Sequence, residues 1–83
     1  MKSFTFYHNG KSENAFVEHF YEEGYNRFRI ALPDRFLVIA PAGIRGVAGR
    51  ILWVQCVSKN ELVQPHDFIQ AIGEGLERGG FYR

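Results

Sequence analysis

The segment from residue 43 to residue 50 holds the side chains best suited to anion binding. Three glycines and two arginines lie close together there: Gly43, Arg45, Gly46, Gly49 and Arg50. Backbone N–H groups in such a turn can converge on an anion. The spacing matches neither the Walker nor the dinucleotide-binding glycine pattern. Residues 43–46 have the Gly-x-x-Gly form of a KH clamp, but that clamp joins two helices. We expect a mobile loop or an irregular long hairpin, with anion binding as the alternative.

Side chains that could serve metal or nucleophilic chemistry are scattered along the chain. His8, His19 and His66 fall in a predicted turn, a strand and a helix start, which is not the spacing of a metal site. Cys56 is the single cysteine, so an internal disulfide is excluded. It lies in the middle of an apolar strand, where cysteine usually acts as a small hydrophobe. The sequence therefore predicts no catalytic residue, metal or cofactor, and an enzyme is the least favoured class.

The first half of the chain predicts two antiparallel hairpins. Phe4 and Phe6 alternate with other residues and lead into Asn9-Gly10, which is typical of a two-residue type I′ turn. That turn pairs Phe4 with Ala15 and Phe6 with Glu13. The second hairpin is predicted to join strands 15–22 and 27–32 over a four-residue loop, 23–26. Its predicted opposite pairs are Tyr21–Phe28, His19–Ile30, Val17–Leu32 and Glu22–Arg27, with His19 half-buried on the core face.

The second half predicts two more strands and a helix. Residues 32–35 form a tight turn, and 36–40 and 51–57 are apolar runs expected to be buried on both faces. The helix is predicted over 65–78, with Pro65 at its first position and Gly79-Gly80 at its end.

Details of the helix sequence predict how it begins and how it packs. Val63 and Phe68 have the spacing of a hydrophobic staple at the helix start. Gly73 and Gly75 inside the helix indicate close packing on the sheet, since each costs about 1 kcal/mol relative to alanine.

Together these elements predict a single α+β domain over 1–83, an antiparallel meander of about five strands with one C-terminal helix on one face. The apolar stripe of the helix should pack on the inward residues of the first three strands. The stripe is Phe68, Ile69, Ile72 and Leu76, and the expected partners are Phe4, Phe6, Val17, Phe28 and Ile30.

The face opposite the helix is the candidate interaction face. It should carry Tyr7, Phe16, Phe20, Arg27 and Arg29 beside one side of strands four and five. Since one helix cannot cover two faces, we expect Leu37 or Ile39, and Trp53 or Val54, to face away from it. Aromatic and arginine residues are typical of protein interfaces and of surfaces that stack unpaired bases. The alternative is a solvated face on which arginine stems shield the rings.

Composition narrows the classes of partner. The 83 residues carry ten basic and nine acidic side chains, which argues against a strongly basic nucleic-acid protein. No apolar run has membrane-spanning length, and the chain starts without a signal-like stretch, so we expect a cytoplasmic protein without membrane contact. Residues 27–50 hold five arginines and one aspartate, whereas 60–78 hold four acids and one arginine. The basic sheet could steer an anionic partner or attract the acidic helix.

The predicted element order is similar to the repeat unit of Whirly- and Pur-type single-strand nucleic-acid-binding proteins, which act as dimers of such units. The likeness covers the whole chain in element order and includes no residue motif, so it supports an architecture by analogy. We expect a non-enzymatic interaction domain that forms a homodimer or binds a protein partner through the exposed face. The alternative, which is less favoured, is a weak single-stranded nucleic-acid binder that uses the same face with Arg45 and Arg50.

Overall fold

The computed structural model describes residues 1–45 and 49–82, excluding the side chains of Ile44 and Arg45. These residues form five strands and one helix, which confirms the predicted fold class. The elements are β1 (Lys2–His8), β2 (Lys11–Glu22), β3 (Tyr25–Ala31), β4 (Phe36–Arg45), β5 (Ile51–Gln55) and α1 (His66–Arg78). All strands belong to one antiparallel sheet in the order β1-β2-β3-β4-β5.

The first hairpin has the predicted register. Phe4 lies opposite Ala15 and Phe6 opposite Glu13. Asn9 and Gly10 form the turn with φ values of 53° and 75°. Both values are positive, as a type I′ turn requires.

The predicted register of the second hairpin is wrong by two residues. Its turn is Glu23-Gly24 alone, with φ values of 54° and 84°, so Tyr25 and Asn26 join β3 instead of lying in a loop. The observed opposite pairs are Val17–Ile30, His19–Phe28, Tyr21–Asn26 and Glu22–Tyr25. A shift of two keeps every side chain on its predicted face because strand side chains alternate with period two.

The later strands also differ in extent from the prediction. The 32–35 turn is present, and the Leu32 N–H donates to the Arg35 carbonyl at 2.8 Å. Strand β4 continues to Arg45 with an irregularity after Pro41, so this part of the chain is a long irregular hairpin. Strand β5 ends at Gln55, and Cys56 therefore follows the strand rather than lying in its middle.

Helix α1 begins one residue later than predicted. Pro65 is its N-cap rather than its first residue. Val63 is 69% exposed, so the predicted staple is wrong, and Phe68 instead packs edge-on against Phe6 with ring centroids 5.8 Å apart. The helix ends as predicted at its two glycines. Gly80 has φ 80°, and the Phe81 N–H donates to the Leu76 carbonyl at 2.9 Å, the long bond of a Schellman motif.

The two helix glycines pack directly on the sheet, as expected. A Cβ on Gly73 would overlap the Trp53 indole, and a Cβ on Gly75 would lie 2.7 Å from the Cβ of Phe6. Helix α1 contacts both edge strands, β1 and β5, so the sheet curls around it. This curl makes the side of the sheet facing α1 concave and the opposite side convex.

The core fills the concave side and contains both the apolar stripe of the helix and its predicted partners, while α1 itself lies against β1, β4 and β5. Its buried members are Phe4, Phe6, Ala15, Val17, Phe28, Ile30, Leu37, Ile39, Trp53, Ile69, Ile72 and Leu76. The residues after the helix also pack against it. The Tyr82 ring lies edge-on to Phe28 and Trp53 at 6.0 and 5.4 Å, and Phe81 is 6.2 Å from Phe4.

Strands β4 and β5 are buried mainly on their inward face, with the small outward-facing Ala40 also buried, so the prediction of burial on both faces is wrong. Leu37, Ile39 and Trp53 all point into the core, which contradicts the expectation that Leu37 or Ile39 faces away. Val54 does face away and is 38% exposed. Phe36, the outward neighbour of Leu37, is 54% exposed.

Candidate interaction face

The convex side of the sheet, which we call the outer face, brings together four of the five predicted residues. Arg29 lies opposite Glu18, Phe20 opposite Arg27, and Phe16 opposite Ala31. Strand β4 extends this row, since Val38 lies opposite Arg29 and Phe36 opposite Ala31. The centre of the outer face is therefore built from β2, β3 and β4, with Val54 of β5 beside it.

Two aromatic rings stand out at one end of this surface. Phe16 is 51% exposed and Phe36 is exposed to a similar extent. The guanidinium of Arg29 lies over the Phe36 ring, 4.2 Å from its centroid. Such a cation–π contact leaves the other side of the ring free and orients the arginine across the sheet.

Arg27 lies along the surface rather than extending from it. Its Nη1 donates to the Asn26 carbonyl at 3.1 Å, and its Nε is 3.7 Å from a carboxylate oxygen of Glu22. Among the described residues that Nε has no hydrogen-bond partner, although it is buried. The Arg27 side chain is only 22% exposed, which agrees with the alternative in which arginine stems lie along the sheet.

The charges of the outer face are balanced. On the described parts of the strands, it carries two glutamates on β2, Glu18 and Glu22, and two arginines on β3, Arg27 and Arg29. The acidic row and the basic row lie side by side on neighbouring strands. The surface therefore has no net charge but a strong charge pattern.

Tyr7 does not belong to this cluster, although it lies on the same side of the sheet. The Thr5–Asn14 pair separates it from Phe16, and the Thr5 hydroxyl donates to the Asn14 amide oxygen at 2.8 Å. Arg78, at the end of α1, lies 5.1 Å from the Tyr7 ring centroid. Tyr7 therefore lines a groove between β1 and the end of the helix.

Cys56 lies at the rim of the outer face. Its N–H donates to the Val38 carbonyl at 2.8 Å, and the residue is half-buried. Burial raises the pKa of the Cys56 thiol, while the nearby Arg27 guanidinium lowers it to a smaller extent. A neutral thiol is a poor nucleophile, so this environment does not favour covalent catalysis.

The described part of the predicted anion segment is used structurally. Gly43 and Gly49 have φ values of 79° and 74°, and the backbone of Arg45 pairs with Ile51. Arg50 Nη2 lies 3.0 Å from a carboxylate oxygen of Glu74 on α1. Thus one arginine of the basic sheet is attracted to the acidic helix. Gly46 and the Arg45 side chain lie outside the described residues.

His8 and His19 have separate hydrogen-bond partners, and His66 is the first residue of α1. His19 is on the predicted face but is exposed rather than half-buried. Its ring stacks on Phe28 with centroids 4.6 Å apart, and its Nε2 is 2.7 Å from the Asn26 amide oxygen. His8 Nε2 donates to the Asp67 carboxylate at 3.0 Å, and this bond lowers the pKa of the Asp67 carboxyl. Within the described residues, no three potential metal ligands lie close together.

Sequence reasoning missed two members of the outer face, Phe36 and Val38. The run from Phe36 to Ala40 is apolar at every position, so its alternation is hidden. The tight turn at 32–35 was the available signal, because it fixes which residues of β4 follow Ile30 across the sheet.

Comparisons with known proteins give no external indication of function. No family model, no curated protein and no solved structure matches the chain. No helix in the described part of the chain is long and apolar enough to cross a membrane.

Proposed function

We propose that this chain is a small interaction domain that binds a protein surface through its outer face. The supporting observation is the exposure of Phe16 on β2 and Phe36 on β4, at 51% and 54%, with Arg29 on the strand between them. Phe20, Val38 and Val54 continue the apolar surface beside them.

The composition of this surface matches the buried centres of protein interfaces. Aromatic and arginine residues dominate the binding energy of such centres. Covering the exposed half of a phenylalanine ring removes apolar area worth about 1 kcal/mol. A partner that covers both rings and the adjacent valines would thus gain several such contributions.

Single-stranded nucleic-acid binding through the same face is the alternative, and the charge pattern favours it less. Nucleic-acid affinity depends on arginines and lysines that neutralise phosphates. Here Glu18 and Glu22 balance Arg27 and Arg29, and Arg29 already contacts Phe36. Arg50, from the predicted anion segment, is paired with Glu74.

We propose a non-catalytic role in a reducing compartment such as the cytoplasm. The half-buried Cys56 thiol has a raised pKa, which disfavours a nucleophilic role. A single unpaired cysteine suits a compartment in which thiols remain reduced.

Two matched variants test the proposal in an extract of the cells that express the chain. Phe16→Glu places a charge on the outer face, and Tyr21→Glu places one on the opposite face of the same strand at a comparably exposed position. In size-exclusion chromatography, we expect the tagged wild type and Tyr21→Glu to elute in a complex and Phe16→Glu to elute alone. Equal elution of all three would contradict the proposal. A complex that dissolves on nuclease treatment would support the nucleic-acid alternative instead.

A further inference from the structure

A sheet protein can associate through a sheet edge or a sheet face, and here the helix occupies the β5 edge. The Trp53 N–H donates to the Gln70 side-chain oxygen at 3.0 Å, and the Gln70 amide nitrogen donates to the Ile51 carbonyl at 2.7 Å. The Gln70 amide thus takes two of the backbone groups that an added strand would use. This side chain blocks pairing with another chain along that edge.

The β1 edge is obstructed by the same helix. In the two-residue first hairpin, Thr5 belongs to a non-hydrogen-bonded pair, so its carbonyl points away from β2 toward the edge. Gly75 of α1 lies against that carbonyl, since a Cβ on Gly75 would be 2.8 Å from the Thr5 oxygen. A strand cannot approach the middle of β1 without displacing the helix. Association through the faces therefore remains.

The outer face is complementary in charge to itself. Its acidic row on β2 lies beside its basic row on β3, with Glu18 directly opposite Arg29 and Phe20 directly opposite Arg27. A two-fold axis along the strands, between β2 and β3, sets β2 of one copy over β3 of the other. The same rotation sets Glu18 over the second copy's Arg29 and Phe20 over its Arg27.

We infer that the partner of the outer face is a second copy of this chain, related by that two-fold axis. This inference rests on the proposed function and names its partner. The dimer as a whole contains two Glu18–Arg29 contacts and two Phe20–Arg27 contacts, because every contact in an isologous interface occurs twice. At one end of the contact, the same rotation sets Phe16 over the second copy's Ala31 and Phe36 over its Ser3.

The curl of the sheet limits the size of this dimer. Two convex faces related by this axis meet mainly over β2 and β3, with β4 of each copy beside β1 of the other, so the contact falls at the small end of specific interfaces, below about 1,200 Å² in total. We therefore expect a dimer that dissociates in the micromolar range and is stabilised by its charge pattern as well as by apolar contact.

Charge reversal tests the arrangement with purified protein in sedimentation velocity experiments. We expect wild type to dimerise at high micromolar concentration. Glu18→Arg and Arg29→Glu should each weaken self-association about tenfold or more, because like charges then face each other. An equimolar mixture of the two variants should recover the dimer, and the double variant in one chain should dimerise alone. The double variant also keeps the cross-strand pair within the protomer, so it remains informative if a single variant folds poorly.

Two results would overturn the inference. The first is a wild-type protein that stays monomeric at high micromolar concentration. The second is a dimer that none of the charge changes affects. If the purified chain is monomeric but its complex in extract still depends on Phe16, the proposed function stands and the second-copy inference fails. A purified chain that is monomeric and that also forms no Phe16-dependent complex in extract would reject both proposals.

Discussion

The two faces of the sheet carry similar residues, but one face is buried and the other is exposed to solvent. Phe28, Ile39 and Trp53 point inward and are fully buried. Phe16 and Phe36, on the other side of the same sheet, remain more than half exposed. The difference arises because one 13-residue helix and the following Phe81 and Tyr82 cover only the concave side. The comparison shows that alternation along the strands assigns apolar residues to a face, whereas the supply of covering elements decides which face is buried.

Removing one aromatic ring from each face of the sheet should give the largest difference in stability between the two faces. We expect Phe28→Ala to reduce the free energy of unfolding by about 3–5 kcal/mol, since Phe28 is fully buried and contacts Trp53 and Tyr82. Phe16→Ala should cost less than about 1 kcal/mol in dilute protein, where it is half exposed. Urea denaturation measures both values. Equal costs would mean that the two faces do not differ in burial as described.

The close contact between α1 and the sheet gives a second test, which concerns the packing of the inner face. A Cβ on Gly73 would overlap Trp53, so Gly73→Ala should destabilise the fold by about 1–3 kcal/mol despite the higher helix propensity of alanine. At the half-buried Ala71 of the same helix, Ala71→Gly should cost about 1 kcal/mol through propensity. Chemical denaturation compares the two. A stabilising Gly73→Ala change would contradict the close approach to Trp53.

The protected β5 edge provides a local test. Gln70→Ala leaves the Trp53 N–H and the Ile51 carbonyl without the side chain that binds them, so we expect a loss of about 1–3 kcal/mol. Hydrogen exchange at the Trp53 amide should become faster, while exchange in the middle of β2 changes only by the global loss of stability. Unchanged protection at Trp53 would argue against Gln70 as its partner.

The smallest expected effect concerns the His8–Asp67 hydrogen bond between the end of β1 and the first turn of α1. The hydrogen bond from His8 lowers the pKa of Asp67 in the folded state below its ordinary value of 3.8. The unfolded chain therefore binds the proton more readily, so this contribution to stability is present above that value and is lost as the pH falls through the lowered pKa. We expect Asp67→Asn to make the urea midpoint less dependent on pH in the acid range. An unchanged acid profile would show that the pair does not contribute.

The sequence predicts the fold well where a local signal is strong. Asn9-Gly10 determines the first hairpin, and the glycines at 79 and 80 determine the end of α1. Glu23-Gly24 is a weaker signal, because glutamate rarely adopts the positive φ that this turn needs. The predicted register of the second hairpin therefore differs by two residues from the observed one. Phe81 and Tyr82 follow the helix without periodicity, so nothing in the sequence indicated that they complete the core.

The candidate face was predicted in part for the same physical reasons. Phe16, Phe20, Arg27 and Arg29 follow from alternation, which the two-residue error left intact. Tyr7 shares their alternation but lies two pairs along the first hairpin from Phe16, and its contact with Arg78 is a tertiary feature that no local pattern encodes.

Alkylation of the native Cys56 tests most directly whether the outer face is covered by a protein surface. Cys56 lies at the rim of that face, whereas Tyr21→Cys in a Cys56→Ala background reports on the opposite face. Both rates are measured by mass spectrometry at the same alkaline pH, in dilute purified protein, in purified protein at high micromolar concentration and in cell extract. We expect Cys56 to react more slowly at high concentration or in extract than in dilute protein, and the cysteine at position 21 to react equally in all three. Equal rates for Cys56 in all three conditions would contradict the proposed interaction face.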